Sequence, residues 1–94
     1  MNKSVKILFF GLFKDIMDQK EYSLVIDNEI DFKEFLELLS SKQENFKKIK
    51  HFLEDKDAKQ PVFIVLNGVP LHNPFEIKIQ TGDEVAFLPP VGGG

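Results

Sequence analysis

The sequence predicts a two-layer α+β domain, with one main helix packed on one face of a mixed sheet of roughly four to five strands. Short apolar segments with β-branched and aromatic residues recur at Val5–Phe10, Tyr22–Ile26, Val62–Leu66 and Glu84–Leu88, and this composition is typical of strands. A helical pattern begins at Asp31, between the second and third of these segments. A chain of 94 residues has room for one such domain.

The first two strands are predicted to form an antiparallel hairpin, because the segment Leu12–Glu21 that connects them is short. Nearer the end of the chain, Asn67-Gly68 and Thr81-Gly82-Asp83 predict turns. Ile77 and Ile79 predict a brief strand between those two turns.

The main helix is predicted from Asp31 to Ser40. The Asp31 side chain can accept a hydrogen bond from the early backbone N–H groups, and Glu34 stands at the capping-box position. A second amphipathic helix is predicted from Glu44 to Glu54. The residues expected in the core are Ile7, Phe9, Phe32, Phe35, Leu36, Leu39, Ile64 and Phe87.

The order of the elements predicts the topology. A hairpin is followed by a helix that crosses the sheet, and the last strand then returns between the first strand and the third. This arrangement is a β-grasp sheet, in which the first and last strands are parallel neighbours at the centre. We assign residues 1–90 to this domain and residues 91–94 to a flexible C-terminal functional tail. Pro89 and Pro90 lead into this segment, and below the word tail includes them.

The composition excludes several classes of function. The chain has no cysteine, which removes disulfides, thiolate nucleophiles and Cys-ligated metals. His51 and His72 lie in separate segments, so no metal site is expected. The net charge is −3 and the lysines and acids are interleaved, so nucleic acid is not an expected partner. No apolar run suits a membrane helix, and we expect a cytoplasmic protein.

The end of the chain, Pro89-Pro90-Val91-Gly92-Gly93-Gly94, has features that a plain globular domain does not need. The prolines end the strand and extend the chain away from the sheet. The glycines have no side chains, so the tail can enter a narrow channel and present its terminal carboxylate to a buried reactive centre. Such a carboxylate suits an enzyme that adenylates it with ATP. The alternative is an ordinary flexible chain end.

The central strands are apolar on both faces. Because side chains alternate along a strand, one set must meet the helix and the other must lie on the open sheet face. An exposed apolar patch often serves as a docking surface, and the residues expected in this one are Leu8, Phe10, Ala86 and Leu88, rimmed by Lys6 and Glu84. The alternative is that the segment Lys42–Gln60 folds over this face and covers it.

Several stretches of the chain resemble the small subunit of molybdopterin synthase, a family of ubiquitin-like sulfur carriers with a C-terminal Gly-Gly. Residues 81–94, Thr-Gly-Asp-Glu-Val-Ala-Phe-Leu-Pro-Pro-Val-Gly-Gly-Gly, are similar to the C-terminal motif of that family, and Val65-Leu66-Asn67-Gly68 precedes them. Residues 5–11, Val-Lys-Ile-Leu-Phe-Phe-Gly, are similar to its first strand. With the helix after Asp31, the resemblance covers most of the chain.

The resemblance implies a sulfur-donating subunit of a synthase complex rather than an autonomous enzyme. A ubiquitin-activating-like enzyme would use ATP to adenylate the carboxylate of Gly94, and sulfur would then replace AMP to give a thiocarboxylate. The tail would insert into the large synthase subunit and deliver the sulfur to the molybdopterin precursor. Gly94 would carry the chemistry, Gly92-Gly93 would supply clearance and Pro89-Pro90-Val91 would set direction. The chain would bind no cofactor of its own and would act in a hetero-oligomer.

The chain departs from the pattern of that family in a few places. Leu88 occupies a position that is often aromatic, and the segments 42–60 and 67–82 are slightly long. Other functions therefore stay open, among them a sulfur carrier for thiamin or for tRNA thiolation, and a ubiquitin-like modifier. A function of a different class is a non-catalytic β-grasp interaction module that acts only through its sheet face.

Overall fold

A computed structural model describes residues 3–54 and 62–89 of the chain. This part of the chain forms short strands, three α-helices and one 3-10 turn. Their bounds are β1 (Ser4–Phe9), α1 (Gly11–Met17), β2 (Glu21–Val25), β3 (Ile30–Asp31), α2 (Phe32–Lys42), α3 (Phe46–Glu54), β4 (Phe63–Leu66), β5 (Val69–Pro70), the 3-10 turn (Pro74–Glu76), β6 (Lys78–Ile79) and β7 (Glu84–Leu88).

Within the described residues, the main sheet has five strands in the order β2-β1-β7-β4-β5. β1 pairs antiparallel with β2 and parallel with β7, and β7 pairs antiparallel with β4. In the parallel pair, Ile7 lies opposite Val85 and Phe9 lies opposite Phe87. The predicted β-grasp fold is confirmed, including the return of the last strand to the sheet centre.

The main helix begins where the sequence predicts. The carboxylate of Asp31 accepts a hydrogen bond of 2.7 Å from the backbone N–H of Glu34, so the predicted N-cap is confirmed. α2 continues to Lys42, slightly beyond the predicted end at Ser40. The second predicted helix is also present as α3, and it buries Phe46 and Ile49.

The core lies between the helices and one face of the sheet. Every residue that the sequence predicts for the core is at most 2% exposed. Phe87 lies at the centre of this core, where its ring stacks on Phe9 at 6.1 Å and on Phe35 at 6.4 Å and meets the edge of Phe46 at 5.3 Å. Aromatic pairs at these distances stabilise a fold by more than the area they bury, so the Phe87 side chain holds the last strand to both α2 and α3.

The connection between β1 and β2 differs from the prediction. The sequence predicts only a hairpin connection for Leu12–Glu21, whereas the structure places most of α1 there. Phe13 and Met17, one helical turn apart, are buried against the sheet. The helix spans 7 residues, and a segment this short does not show a helical period clearly enough to be distinguished from a loop. The two flanking strands still pair as predicted.

A second sheet of two strands pairs β3 with β6. Ile30 lies opposite Ile79, which is fully buried. The brief strand predicted at Ile77 and Ile79 is therefore confirmed at Ile79, while Ile77 lies just before it and follows the 3-10 turn.

The two predicted turns near the end of the chain are joined by hydrogen bonds. The amide group of Asn67 donates to the carboxylate of Asp83 at 3.0 Å and accepts from the N–H of Glu84 at 2.8 Å, while Asp83 also accepts from the N–H of Gln80 at 2.9 Å. Asn67 and Gly68 both have positive φ, as a tight hairpin turn requires. Asn67 and Asp83, which belong to the segments that carry the family resemblance, thus stabilise the fold by joining the two turns.

Phe35→Ala should lower the free energy of unfolding by about 3–5 kcal/mol, because it removes a fully buried ring. Urea denaturation followed by circular dichroism measures this loss. Phe75→Ala is the matched control, since Phe75 is 50% exposed and its truncation should cost much less. Equal losses for the two variants would show that the buried face of α2 is assigned wrongly.

Asp83→Ala should lower the free energy of unfolding by about 1–3 kcal/mol, because it leaves the N–H of Gln80 and the amide of Asn67 without their acceptor. The same denaturation experiment measures it. Asp27→Ala, in an exposed loop, should change the value by less than about 0.5 kcal/mol. A stability of Asp83→Ala equal to that of the parent chain would contradict a role for this carboxylate in joining the turns.

Candidate functional site

The two central strands each have one face in the core and one face away from it. Ile7, Phe9, Val85 and Phe87 point into the core and are at most 1% exposed. Because side chains alternate along a strand, the residues between them lie on the opposite surface of the sheet. This surface is called the open face below.

The open face carries all four residues that the sequence predicts for docking. Leu8 lies opposite Ala86 in the parallel pair, and Leu88 follows two residues further along β7. Phe10 continues the alternation past the end of β1 with extended backbone, and it is 47% exposed. Ala86 is only 8% exposed, so it forms the floor of the patch rather than its contact surface.

Two residues of β4 enlarge this patch and are missing from the sequence prediction. Val65 lies opposite Ala86, and Phe63, which is 50% exposed, lies opposite Leu88. The signal was present in the sequence, because a core position at Ile64 places its two neighbours on the other face. The open-face patch therefore consists of Leu8, Phe10, Phe63, Val65, Ala86 and Leu88.

The helices lie on the other side of the sheet. Phe46 of α3 packs against Phe9 and Phe87 from the core side, and Ile49 joins the same buried cluster. The sequence left open whether the segment Lys42–Gln60 covers the open face. Its described part, which ends at Glu54, packs on the helix side, and residues 55–60 lie outside the described residues.

Charged residues border the patch on the side where β7 begins. Lys6 lies opposite Glu84 in the parallel pair, and its ammonium group is 3.8 Å from the carboxylate of Glu21. Both side chains of that ion pair are about half exposed, so the pair contributes little to stability. Rim charges of this kind contribute more to the orientation and rate of association with a partner.

The tail begins at the edge of the patch. Pro89, half-buried, is the last described residue and follows Leu88 directly. At this end of the sheet the N–H of Phe10 donates to the carbonyl of Phe87 at 3.3 Å, which continues the pairing of the two central strands. The other predicted tail residues, Pro90, Val91, Gly92, Gly93 and Gly94, lie outside the described residues.

The open-face patch is apolar with a charged rim, and the described residues offer no cluster of metal ligands. Within residues 3–54 and 62–89, no group of three or more His, Asp or Glu side chains could hold a metal ion. His51 and His72 are both exposed, on α3 and in the loop after β5. Over the same part of the chain, no helix has the length and apolar character needed to cross a membrane. An apolar patch with a charged rim is suited to a protein partner.

Comparison with known proteins agrees with the fold. The ThiS family model matches residues 7–94, whereas no curated protein matches the chain by sequence. SAMP1 from Haloferax volcanii is 20% identical with a TM-score of 0.75, over 97% of this chain and 99% of that chain. Urm1 from Sulfolobus solfataricus is 20% identical with a TM-score of 0.57, over 89% and 97%.

A third similar structure is the protein–protein complex of subunits 1 and 2 of molybdopterin-converting factor from Helicobacter pylori. The matching chain is 25% identical with a TM-score of 0.60, over 97% of this chain and 99% of that chain. At this level of identity the solved structures support the β-grasp fold, while the family model extends from β1 to Gly94. The chain therefore belongs to the ThiS family of ubiquitin-like sulfur carriers.

Proposed function

We propose that this chain is the small subunit of a molybdopterin synthase, which carries sulfur as a thiocarboxylate on Gly94 and delivers it to the molybdopterin precursor during molybdenum cofactor biosynthesis. It acts as a sulfur donor within a complex rather than as an autonomous enzyme. Its partners are an adenylating, ubiquitin-activating-like enzyme that uses ATP, and the large subunit of the synthase. The subunit pair in the Helicobacter pylori complex supports a large-subunit partner.

The observation that carries the proposal is the continuity of the open-face patch with the start of the tail. Leu88 belongs to the patch and is the last residue of β7, and Pro89 follows it. A partner that binds the patch therefore holds the start of the tail at a fixed position. Residues 90–94 can then reach on the order of 16 Å from Pro89, at about 3.3 Å per extended residue.

The chemistry proposed for Gly94 needs activation of its carboxylate. An oxygen of the carboxylate attacks the α-phosphorus of ATP, pyrophosphate leaves and an acyl adenylate forms. The terminal sulfur of a persulfide donor then attacks the carbonyl carbon, and AMP leaves. A thiol next attacks the other sulfur of the resulting acyl disulfide, so that the S–S bond breaks, the donor is left in a disulfide and the thiocarboxylate is released. Glycine at residues 92–94 leaves room for a narrow channel around the reacting carbon.

The match to SAMP1, a small archaeal modifier protein by its name, favours a second candidate function. A ubiquitin-like modifier, or a carrier for thiamin or tRNA thiolation, would use the same activated carboxylate with a different acceptor. In the modifier the acceptor is an amine of a target protein, and the product is an isopeptide bond. Sulfur transfer in the presence of a large synthase subunit separates the two functions.

Deleting Gly94, or adding one bulky residue after it, should abolish sulfur transfer and leave docking intact. Deletion moves the reactive carbon back by about 3.5 Å of extended chain, and a displacement of ~1 Å can cost on the order of a hundredfold in rate. Product formation by the reconstituted synthase measures transfer, and calorimetry with the large subunit measures docking. Normal product from the truncated chain would contradict the proposal and would favour an interaction module with an inert tail.

Leu88→Asp should weaken docking and leave the reactive end of the tail unchanged, because it places a charge in the patch without changing the last residues of the tail. Burying that carboxylate without a partner is costly, so the affinity for the large subunit should fall by about tenfold or more, which corresponds to roughly 1.4 kcal/mol. Leu12→Asp is the matched control, since Leu12 is 54% exposed on α1, on the helix side. Equal affinities for the two variants would exclude the open face as the docking surface.

A further inference from the structure

Gly11, at the start of α1, lies against the first residue of the tail. A Cβ atom built on Gly11 would lie 3.1 Å from Cγ and 3.7 Å from Cδ of Pro89. The first distance is tighter than an ordinary van der Waals contact, so the proline ring would have to move by a few tenths of an ångström to admit a side chain. Because Gly11 has no Cβ, the Pro89 ring can lie close to its Cα.

A positive φ does not by itself place a glycine against another residue, as two other glycines of the chain show. Gly11, Gly68 and Gly82 all have positive φ, of 53°, 85° and 91°, a region that disfavours residues with a Cβ. A Cβ on Gly68 or Gly82 would meet nothing within 4 Å. Gly11 is therefore constrained twice, once by its own φ and once by Pro89.

The surface on which Pro89 rests is firmly held. The carbonyl of Phe10 accepts hydrogen bonds from the N–H groups of Phe13 at 3.0 Å and Lys14 at 3.4 Å, and the N–H of Phe10 donates to the carbonyl of Phe87. Phe13 is fully buried in the core. The junction between β1 and α1 is thus tied to both the core and the end of β7, and Pro89 packs against it rather than against a loose loop.

We propose that Gly11 is a positioning residue for the tail: its missing side chain seats the Pro89 ring and so sets the direction in which the tail leaves the sheet. The inference rests on the proposed sulfur-carrier function and deepens it. A Cβ at Gly11 shifts the chain at the first tail residue and leaves the open-face patch in place. Docking and delivery are thereby separated, because the patch determines where the partner sits and Gly11 determines how the tail leaves it.

The test compares Gly11→Ala with Gly68→Ala, which introduces the same Cβ at positive φ without a steric contact. A displacement of ~1 Å can lower the rate on the order of a hundredfold, so a displacement of a few tenths of an ångström should lower it by roughly threefold to tenfold. In the reconstituted synthase, kcat for sulfur transfer should fall by that factor for Gly11→Ala and stay within about twofold of the parent chain for Gly68→Ala. Calorimetric affinity for the large subunit should be unchanged in both variants, and thermal melting checks that both are folded.

A double-mutant cycle with Pro89→Ala identifies the contact itself, because that substitution removes both ring atoms that the Cβ would meet. In the Pro89→Ala background, Gly11→Ala should lower kcat by less than about twofold. An equal loss in both backgrounds, or an equal loss for Gly68→Ala, would overturn the proposal. If Gly11→Ala does not fold, Gly11→Asn carries the same Cβ and tolerates positive φ better. A parent chain that transfers no sulfur would instead refute the sulfur-carrier function.

Discussion

The parallel pairing of β1 with β7 is the constraint on which the rest of the structure depends. It places the first and last described strands side by side at the centre of the sheet and stacks Phe9 on Phe87. Because β7 also pairs with β4, its backbone is bonded on both sides. The tail therefore starts from an interior strand of the sheet rather than from an edge strand.

The same pairing creates the open face. Both central strands are apolar on both sides, but the described helices all place their buried side chains on one side. Leu8, Phe63 and Leu88 consequently remain at the surface, next to the residue where the tail begins. Exposed apolar area lowers stability slightly, and binding of a partner recovers that free energy.

How far the sequence predicts the structure depends on how local each feature is. The period of Phe32, Phe35 and Leu39 extends over a whole helix, so α2 and its core face were predictable. α1 was not, because a helix of 7 residues is too short for its four apolar residues to show a distinguishable period. The place of Phe63 on the open face follows from alternation, but only once Ile64 is known to be buried.

The remaining features needed the tertiary structure. Gly11 and Pro89 are far apart in the sequence, and their contact follows only from the register of the two central strands. The bonds between Asn67 and Asp83 likewise join two turns that the sequence predicts separately.

The most direct test of the central claim is the intact mass of the chain, co-expressed with the adenylating enzyme and sulfur donor of the same organism, with fragmentation to locate any change. The account predicts a mass increase equal to the replacement of one oxygen by sulfur, confined to Gly94 and absent when Gly94 is deleted. An unchanged mass, under conditions where the adenylating enzyme consumes ATP with this chain as substrate, would contradict it.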